Sequence, residues 1–266
     1  MEVLCLGDNV VDTYVDQGLM FPGGNAVNVA VYLCRRGIAS GYAGTVGDDE
    51  NGRLIKGALE TEGVDLSGLR VVSGPNAHCR VNVIDGDRVF ESGNIGVSSH
   101  RFSPDDVTLA ATAGCLHTGD NSRSEKAVAE LAGVTRVSFD FGTRPQEYCR
   151  ALLPHVWMAT FSVDGTDPGE AGRVADWASR QGPRVVLVTE GAAGASLWVQ
   201  GELVRLPSAS PAPKDTLGAG DAAIAGVLAG VVRGLLPAQC LAQGMELAAE
   251  VCRDYGAFGY GVPFRV

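Results

Sequence analysis

The 266-residue chain carries 31 acidic side chains against 21 Lys and Arg, a formal net charge of −10. That balance argues against a nucleic-acid or anionic-membrane surface and points to small-molecule metabolism. The seven cysteines are scattered, odd in number and free of any C-x-x-C pair, so reduced core thiols are expected rather than a disulfide framework or zinc site.

No export signal precedes the first strand, and the expected location is the cytoplasm. Short apolar runs then alternate with helical patterns, the signature of a mostly parallel sheet covered by helices on both faces. A strand at Val3 to Leu6 ends in Gly7-Asp8-Asn9-Val10-Val11-Asp12. This segment offers two carboxylates and an amide to a polyhydroxylated ligand, or it closes an Asx-type turn. An extended segment, Val10 to Gly18, leads to Phe21-Pro22-Gly23-Gly24-Asn25-Ala26-Val27-Asn28, a glycine-rich turn opening a helix over Asn25 to Arg36. Paired glycines admit a ligand to the backbone, and Asn25 or Asn28 can bond hydroxyls; a cap and turn is the plainer reading.

A strand at Tyr42 to Val46 runs into the acidic turn Gly47-Asp48-Asp49-Glu50-Asn51-Gly52, before a helix at Gly52 to Glu62. A cation site and a helix entry both explain that turn. Cys79 to Glu91 breaks the alternation, reading as two strands around an Asp85-Gly86 turn. Together with Val10 to Gly18 these strands make a small separate sheet, either a lid over a site or a structural or dimer-forming flap.

Strands follow at Cys115 to Thr118, Val137 to Phe141, Trp157 to Phe161 and Val185 to Thr189, with helices at Ser124 to Leu131 and Glu170 to Arg180 and a hairpin over Ala195 to Leu206. Asp140-Phe141-Gly142 has the spelling of the protein-kinase magnesium motif. Without an H-R-D loop or a kinase-type glycine loop it reads as an acid at a strand end. The four histidines have no metal-ligand spacing and read as surface or satisfied core residues. Thr189-Glu190-Gly191-Ala192-Ala193-Gly194 is a turn that lies against a flat purine or a phosphate, or else enters the hairpin.

The last motif is Asp215-Thr216-Leu217-Gly218-Ala219-Gly220-Asp221, running into an apolar helix over Ala219 to Arg233. A two-glycine turn that opens a helix presents backbone N–H groups beside the positive end of the helix dipole, which makes an anion cradle. Asp221 at its rim repels an anion, so its presence suggests a base that takes a proton. Three readings stand: a plain helix N-terminus, the dinucleotide fingerprint G-x-G-x-x-G/A, and phosphoryl transfer. Against the fingerprint, loop-like residues 208–213 stand where a strand is required. No G-x-x-x-x-G-K-[ST] occurs, which excludes a P-loop enzyme. Ala222 to Val232 is too short to span a bilayer.

Gly23-Gly24-x-x-x-Asn28-x-Ala30, Val46-Gly47-Asp48-Asp49-x-x-Gly52, Thr189-x-Gly191-x-x-Gly194 and Asp215-Thr216-x-Gly218-Ala219-Gly220-Asp221 occur in the order seen in the ribokinase-like, or PfkB, carbohydrate kinases. The resemblance covers almost the full length. It implies a three-layer α/β/α sandwich with a mostly parallel central sheet and a small β-sheet lid. One kinase domain would span 1–266, with lid strands within about 10–20 and 78–97. ATP with Mg2+ is the implied donor, and Asp221 the implied general base on the sugar's primary hydroxyl. The amides of Gly218, Ala219 and Gly220 would stabilise the transferring phosphoryl group. Asp12, Gly23, Gly24, Asn28 and Arg80 match the sugar side, while Thr189, Gly191, Gly194 and Thr216 match the nucleotide side.

Within the family, Gly7 to Asp12, Gly23 to Tyr32 and Asp87 to Phe90 look most like the fructoselysine 6-kinase branch, which implies phosphorylation of the 6-hydroxyl of a fructosamine. A kinase of fructose, ribose or a nucleoside, a non-catalytic sugar or nucleotide sensor, and a dehydrogenase are the alternatives. One departure is visible. Many relatives carry N-x-x-E where this chain reads Phe161-Ser162-Val163-Asp164-Gly165-Thr166-Asp167, so Ser162 replaces the Asn and Asp164 or Asp167 is left to supply a metal-binding acid. An exposed lid edge implies a homodimer.

Overall fold

The computed structural model describes residues 1–84, 87–209 and 213–264, so the Asp85-Gly86 turn lies outside the described residues. The first strand sets the plan. Val3-Leu4-Cys5-Leu6 (β1, Val3–Leu6) has no polar side because both of its faces are buried. Val3 and Cys5 enter one apolar core and Leu4 and Leu6 the other, as strand alternation requires of a central strand.

Around it the chain lays down β2 (Val10–Tyr14), β3 (Leu19–Gly23), α1 (Asn25–Arg35), β4 (Ser40–Gly47), α2 (Glu50–Thr61) and β5 (Asp65–Val72). The hairpin β6 (His78–Ile84) and β7 (Asp87–Asn94) follows, then α3 (Pro104–Ala110), β8 (Cys115–Gly119), α4 (Val128–Ala132), β9 (Arg136–Asp140) and α5 (Gln146–Arg150). The last third holds β10 (Met158–Ser162), α6 (Glu170–Ser179), β11 (Val185–Thr189), the hairpin β12 (Ala195–Val199) and β13 (Glu202–Leu206), α7 (Ala219–Val232), α8 (Pro237–Val251) and β14 (Val262–Pro263).

Nine strands form the large sheet in the order β13-β12-β11-β10-β9-β8-β1-β4-β5. It is parallel from β11 to β5, and the β12–β13 hairpin closes one edge antiparallel. Helices α1, α7 and α8 pack on one face and α4 and α6 on the other, which is the expected α/β/α sandwich. A second, five-stranded sheet runs β14-β3-β2-β6-β7. Strand β2 joins it to the large sheet through β1, only three residues upstream, so the small sheet stands over the carboxyl end of β1.

The sequence reading lacked β5, α3, α5 and α8, together with β3 and β14 of the small sheet. Strand β5 is an edge strand of mostly half-exposed and exposed residues, which has neither a buried run nor a clean alternation. Helix α8 carries Gly244 in its middle, a residue that reads as a breaker. Its role is steric: a Cβ on Gly226 of α7 would lie 2.6 Å from the Gly244 Cα. Gly226→Ala is therefore expected to push the two helices apart and to cost ~1–3 kcal/mol, read from a urea melt at unchanged slope. No helix among the described residues is long and apolar enough to cross a membrane.

Candidate active site

Helix α7 is buried from Ala222 through Gly230. A helix that is apolar nearly all round belongs in the interior, and packing against α1 and α8 fixes where its N-terminus points. Gly218 is its N-cap, in the left-handed region at φ 76. A side chain there would also meet the Ala257 Cβ and the Tyr32 hydroxyl oxygen, each 2.7 Å from a Cβ. Asp215 braces the turn from below. It is buried, and it accepts from the Leu217 N–H at 2.9 Å, the Gly256 N–H at 3.0 Å and the Tyr14 hydroxyl at 2.5 Å. The Ala219 N–H donates to the Thr216 carbonyl at 3.2 Å. Of the three amides named for the anion hole, Ala219 thus already closes the turn, while Gly218 and Gly220 belong to the helix start, where N–H groups lack intrahelical acceptors.

Asp221, three residues into the turn, faces α1. The Asn25 side-chain amide donates to its Oδ1 at 2.8 Å and the Asn28 amide to its Oδ2 at 2.6 Å. These bonds hold the carboxylate in one orientation. The Asn25 amide also donates to Asp140 Oδ2 at 3.1 Å, so one NH2 group bridges two acids. Burial, and then the charge of Asp221, push the Asp140 carboxyl up to about 7.

Asn25 is itself aimed from beneath. His117 is completely buried and burial drops its pKa to about 3, so the ring is neutral. Its Nε2 lies 3.1 Å from Asn25 Oδ1, and its Nδ1 lies 3.0 Å from the Ser138 hydroxyl. An amide oxygen only accepts, which assigns the ring proton to Nε2 and leaves Nδ1 to accept from Ser138. His117 was expected as a surface or satisfied core residue, and it is a satisfied core residue; Asp140 was expected as an acid at a strand end. Both belong to this network. The available signal was their place at the carboxyl ends of β8 and β9, where open α/β sheets hold their ligands.

Two cavities meet at the start of α7. The first encloses about 680 Å³ and is lined by Asp12, Gly24, Asn28, Asp140 and Asp221, with Cys79 and Gly93 of the small sheet and Asp120 to Arg123 beyond β8. Of the residues assigned to the sugar, Asp12, Gly24 and Asn28 are thus brought together. Gly23 stands just behind them, where a Cβ would meet Asp12 Oδ2 at 2.9 Å. Arg80 does not line this cavity. Its guanidinium lies over the Phe264 ring at 5.8 Å, because strand alternation turns it to the opposite side from Cys79. Asp8 serves the fold: it accepts from the Asn25 N–H at 2.9 Å and the Ala26 N–H at 3.4 Å, capping α1, and from the Ser122 hydroxyl at 2.9 Å.

The second cavity, about 430 Å³, takes in Thr189, Gly191, Gly194 and Thr216 together with Ala219 and Gly220. All four residues assigned to the nucleotide line it. Its other wall is Ala223 with Met245, Ala248 and Ala249 of α8, an apolar surface suited to a flat base. The sequence reading could not supply that wall, since it lacked α8.

The acids considered for a metal do not form one site. Asp164 is exposed, and its Oδ1 accepts from the Thr166 N–H at 2.8 Å and hydroxyl at 2.7 Å; these bonds lower its pKa. Asp167 pairs with Arg173 and accepts from the Gly169 N–H. Ser162 instead lines the second cavity, with its hydroxyl 3.0 Å from that of Thr189. In the acidic turn, Asp49 caps α2 through the Gly52 N–H at 2.9 Å, and Asp48 accepts from the Gly74 N–H at 3.0 Å. That turn is a helix entry. Among the described residues no group of three or more His, Cys, Asp or Glu is arranged to hold a metal ion.

A parallel sheet with a small-sheet cover, a glycine turn at a helix start and an acid between two cavities define a phosphotransferase-type α/β architecture. Residues 4–260 match the model of the pfkB family carbohydrate kinases, and the chain belongs to that family. It is 39% identical over 272 residues to fructosamine kinase FrlD of Bacillus subtilis (strain 168), covering 100% of this chain and 96% of that one. To fructoselysine 6-kinase of Escherichia coli (strain K12) it is 34% identical over 256 residues, covering 95% and 98%. In fold it superposes on Arabidopsis thaliana ribokinase complexed with ribose and ATP at a TM-score of 0.79 and 20% identity, over 96% of this chain and 94% of that one.

Proposed function

We propose that the chain transfers the γ-phosphoryl group of ATP to the 6-hydroxyl of a fructosamine such as fructoselysine. The observation that carries this reading is the position of Asp221 between the cavities. Its side chain lines the first, while Ala219 and Gly220 of the same turn line the second. The acceptor class is supported by the fructosamine and fructoselysine kinases at 39% and 34% identity.

In this reading the acceptor occupies the first cavity with its 6-hydroxyl against Asp221. The bond from O6 to phosphorus forms as the bond to the β–γ bridging oxygen breaks, and ADP leaves with that electron pair. Asp221 takes the hydroxyl proton. A loose transition state needs that proton removed only late, so position counts for more than basicity. The amides of Asn25 and Asn28 keep the carboxylate turned to the hydroxyl, and each carboxylate oxygen retains a lone pair to accept with. Asp12 accepts from sugar hydroxyls. The Asn28 side-chain oxygen Oδ1 is buried without a hydrogen-bond partner among the described residues, and a sugar hydroxyl is the group that would satisfy it. The amides of Gly218 and Gly220 receive the negative charge of the phosphoryl oxygens.

Magnesium enters this reading as the companion of the ATP phosphates. With no three-residue cluster arranged for it among the described residues, the ion would take most of its ligands from phosphate oxygens and water, as Mg2+ commonly does. A cytoplasmic location belongs to the same reading. So does pairing of two copies along β7, the outer strand of the small sheet, whose unpaired backbone groups form a template for another strand.

The test is ADP release with fructoselysine, other fructosamines, fructose, ribose and nucleosides as acceptors. The expected result is the highest kcat/KM with a fructosamine. Turnover of a simple sugar and of no fructosamine would remove the acceptor assignment. A non-catalytic sensor would turn over none of them, but such a protein has no use for an acid held by two asparagines at the mouth of an anion cradle.

A further inference from the structure

Arg123 lies on the loop after β8; it is exposed and is one of the residues that line the first cavity. Its backbone is left-handed at φ 54, a conformation that few residues other than glycine adopt. Both neighbours are buried and tied down. The Ser122 hydroxyl donates to Asp8 Oδ1 at 2.9 Å, and that of Ser124 lies 2.9 Å from the Thr118 hydroxyl. The backbone at Arg123 is therefore set by the fold, in a strained conformation that its pinned neighbours maintain.

Two arginines line this cavity. Arg144 donates to Asp120 at 2.8 Å, whereas the Arg123 guanidinium makes no hydrogen bond or ion pair with any described residue. The other charged residues of the wall are the carboxylates Asp8, Asp12, Asp120, Glu125, Asp140 and Asp221. An anionic group on an acceptor is repelled by that wall and, among the described residues, finds an uncommitted arginine at Arg123. The nucleotide phosphates are not the natural partner, because Arg123 does not line the cavity that holds the glycine turn.

The geometry points to Arg123 as the recognition point for a carboxylate carried by the acceptor, namely the amino-acid carboxylate of a fructosamine. The inference rests on the fructosamine reading and adds to it: the amino-acid end, and not the sugar alone, is selected. A planar guanidinium accommodates a carboxylate through two parallel N–H bonds, worth more than a neutral contact.

The experiment measures kcat/KM of wild type, Arg123→Ala and Arg123→Lys on two acceptors, fructoselysine and its decarboxylated counterpart, the fructosamine of cadaverine. The readout is the ratio of the two values, which cancels any general loss of folded enzyme. Wild type is expected to prefer the carboxylate-bearing acceptor by ~10–100-fold, as a charge-assisted bond provides. Arg123→Ala should abolish that preference, and Arg123→Lys should restore part of it. A wild-type enzyme that phosphorylates both acceptors equally, or an Arg123→Ala ratio equal to that of wild type, overturns the inference while the fructosamine reading stands. Absence of turnover with either acceptor overturns both.

Discussion

Asp221→Asn is expected to lower kcat by ~10²–10⁴, the range for losing a positioned general base, which corresponds to about 3–5 kcal/mol of transition-state stabilisation. Binding of ATP and acceptor, measured by calorimetry, should change far less, because Asp221 acts on a proton that moves only in the transition state. One complication is built into the site. Both carboxylate oxygens now accept from side-chain amides, at 2.8 Å from Asn25 and 2.6 Å from Asn28. An asparagine there turns an NH2 group toward one of them, so one bond is lost, at a cost near 1 kcal/mol in stability. Asp221→Ala removes that clash and leaves the catalytic loss in place. Were both variants to keep kcat within a few-fold of wild type, Asp221 would not be the base.

The second large effect concerns Asp140, and it is one of stability against pH. In the folded chain burial and the neighbouring Asp221 raise its pKa to about 7, against roughly 3.9 in the unfolded chain. The folded state therefore binds the extra proton between these values. The contribution is fully present below the unfolded pKa and is lost as pH rises through about 7. His117 runs the other way. Burial lowers it to about 3 when folded, against roughly 6.5 unfolded, so its contribution is lost as pH falls below that unfolded value. Between about pH 4 and 6.5 the two slopes oppose each other and nearly cancel. Asp140→Asn removes one of them. The variant's stability should then climb with pH across that window, and its advantage over wild type should grow by about 1–4 kcal/mol between pH 4 and pH 8. An offset of about 1 kcal/mol against the variant is expected at every pH. It arises because Asp140 accepts from both the Gly142 N–H and the Asn25 amide, and an asparagine has one oxygen for the two. Urea melts of both proteins at pH 4, 6 and 8 check this; a difference that stays constant across the three would refute it.

The residues differ in how far they could be read in advance. The α/β class was legible in Val3-Leu4-Cys5-Leu6 and Val185-Val186-Leu187-Val188, because a parallel strand buried on both faces needs an unbroken apolar run. Gly218 was legible because a left-handed N-cap with no room for a Cβ admits only glycine. Asp12, Asn28 and the Thr189 to Gly194 turn were legible through their order along the chain, which is a resemblance and not a local signal. Arg80 misled because alternation within a strand fixes two opposite faces without saying which one meets the cavity.

Taken alone, the amino-acid sequence determined the layered α/β class, the family and two groups of residues that line two neighbouring cavities. These depend on backbone requirements and short-range patterns, which the order of residues carries directly. Only the tertiary structure decided that Asn25 bridges Asp221 to Asp140, that a neutral His117 aims Asn25 from beneath, and that Arg123 lines the first cavity without a hydrogen bond or ion pair to any described residue. The physical reason is distance along the chain. Asn25 and Asp221 are 196 residues apart, and Asn25 and His117 are 92 apart. Hydrogen bonds between such residues exist only after the sheet order has brought the ends of β1, β8 and β9 together beneath α7.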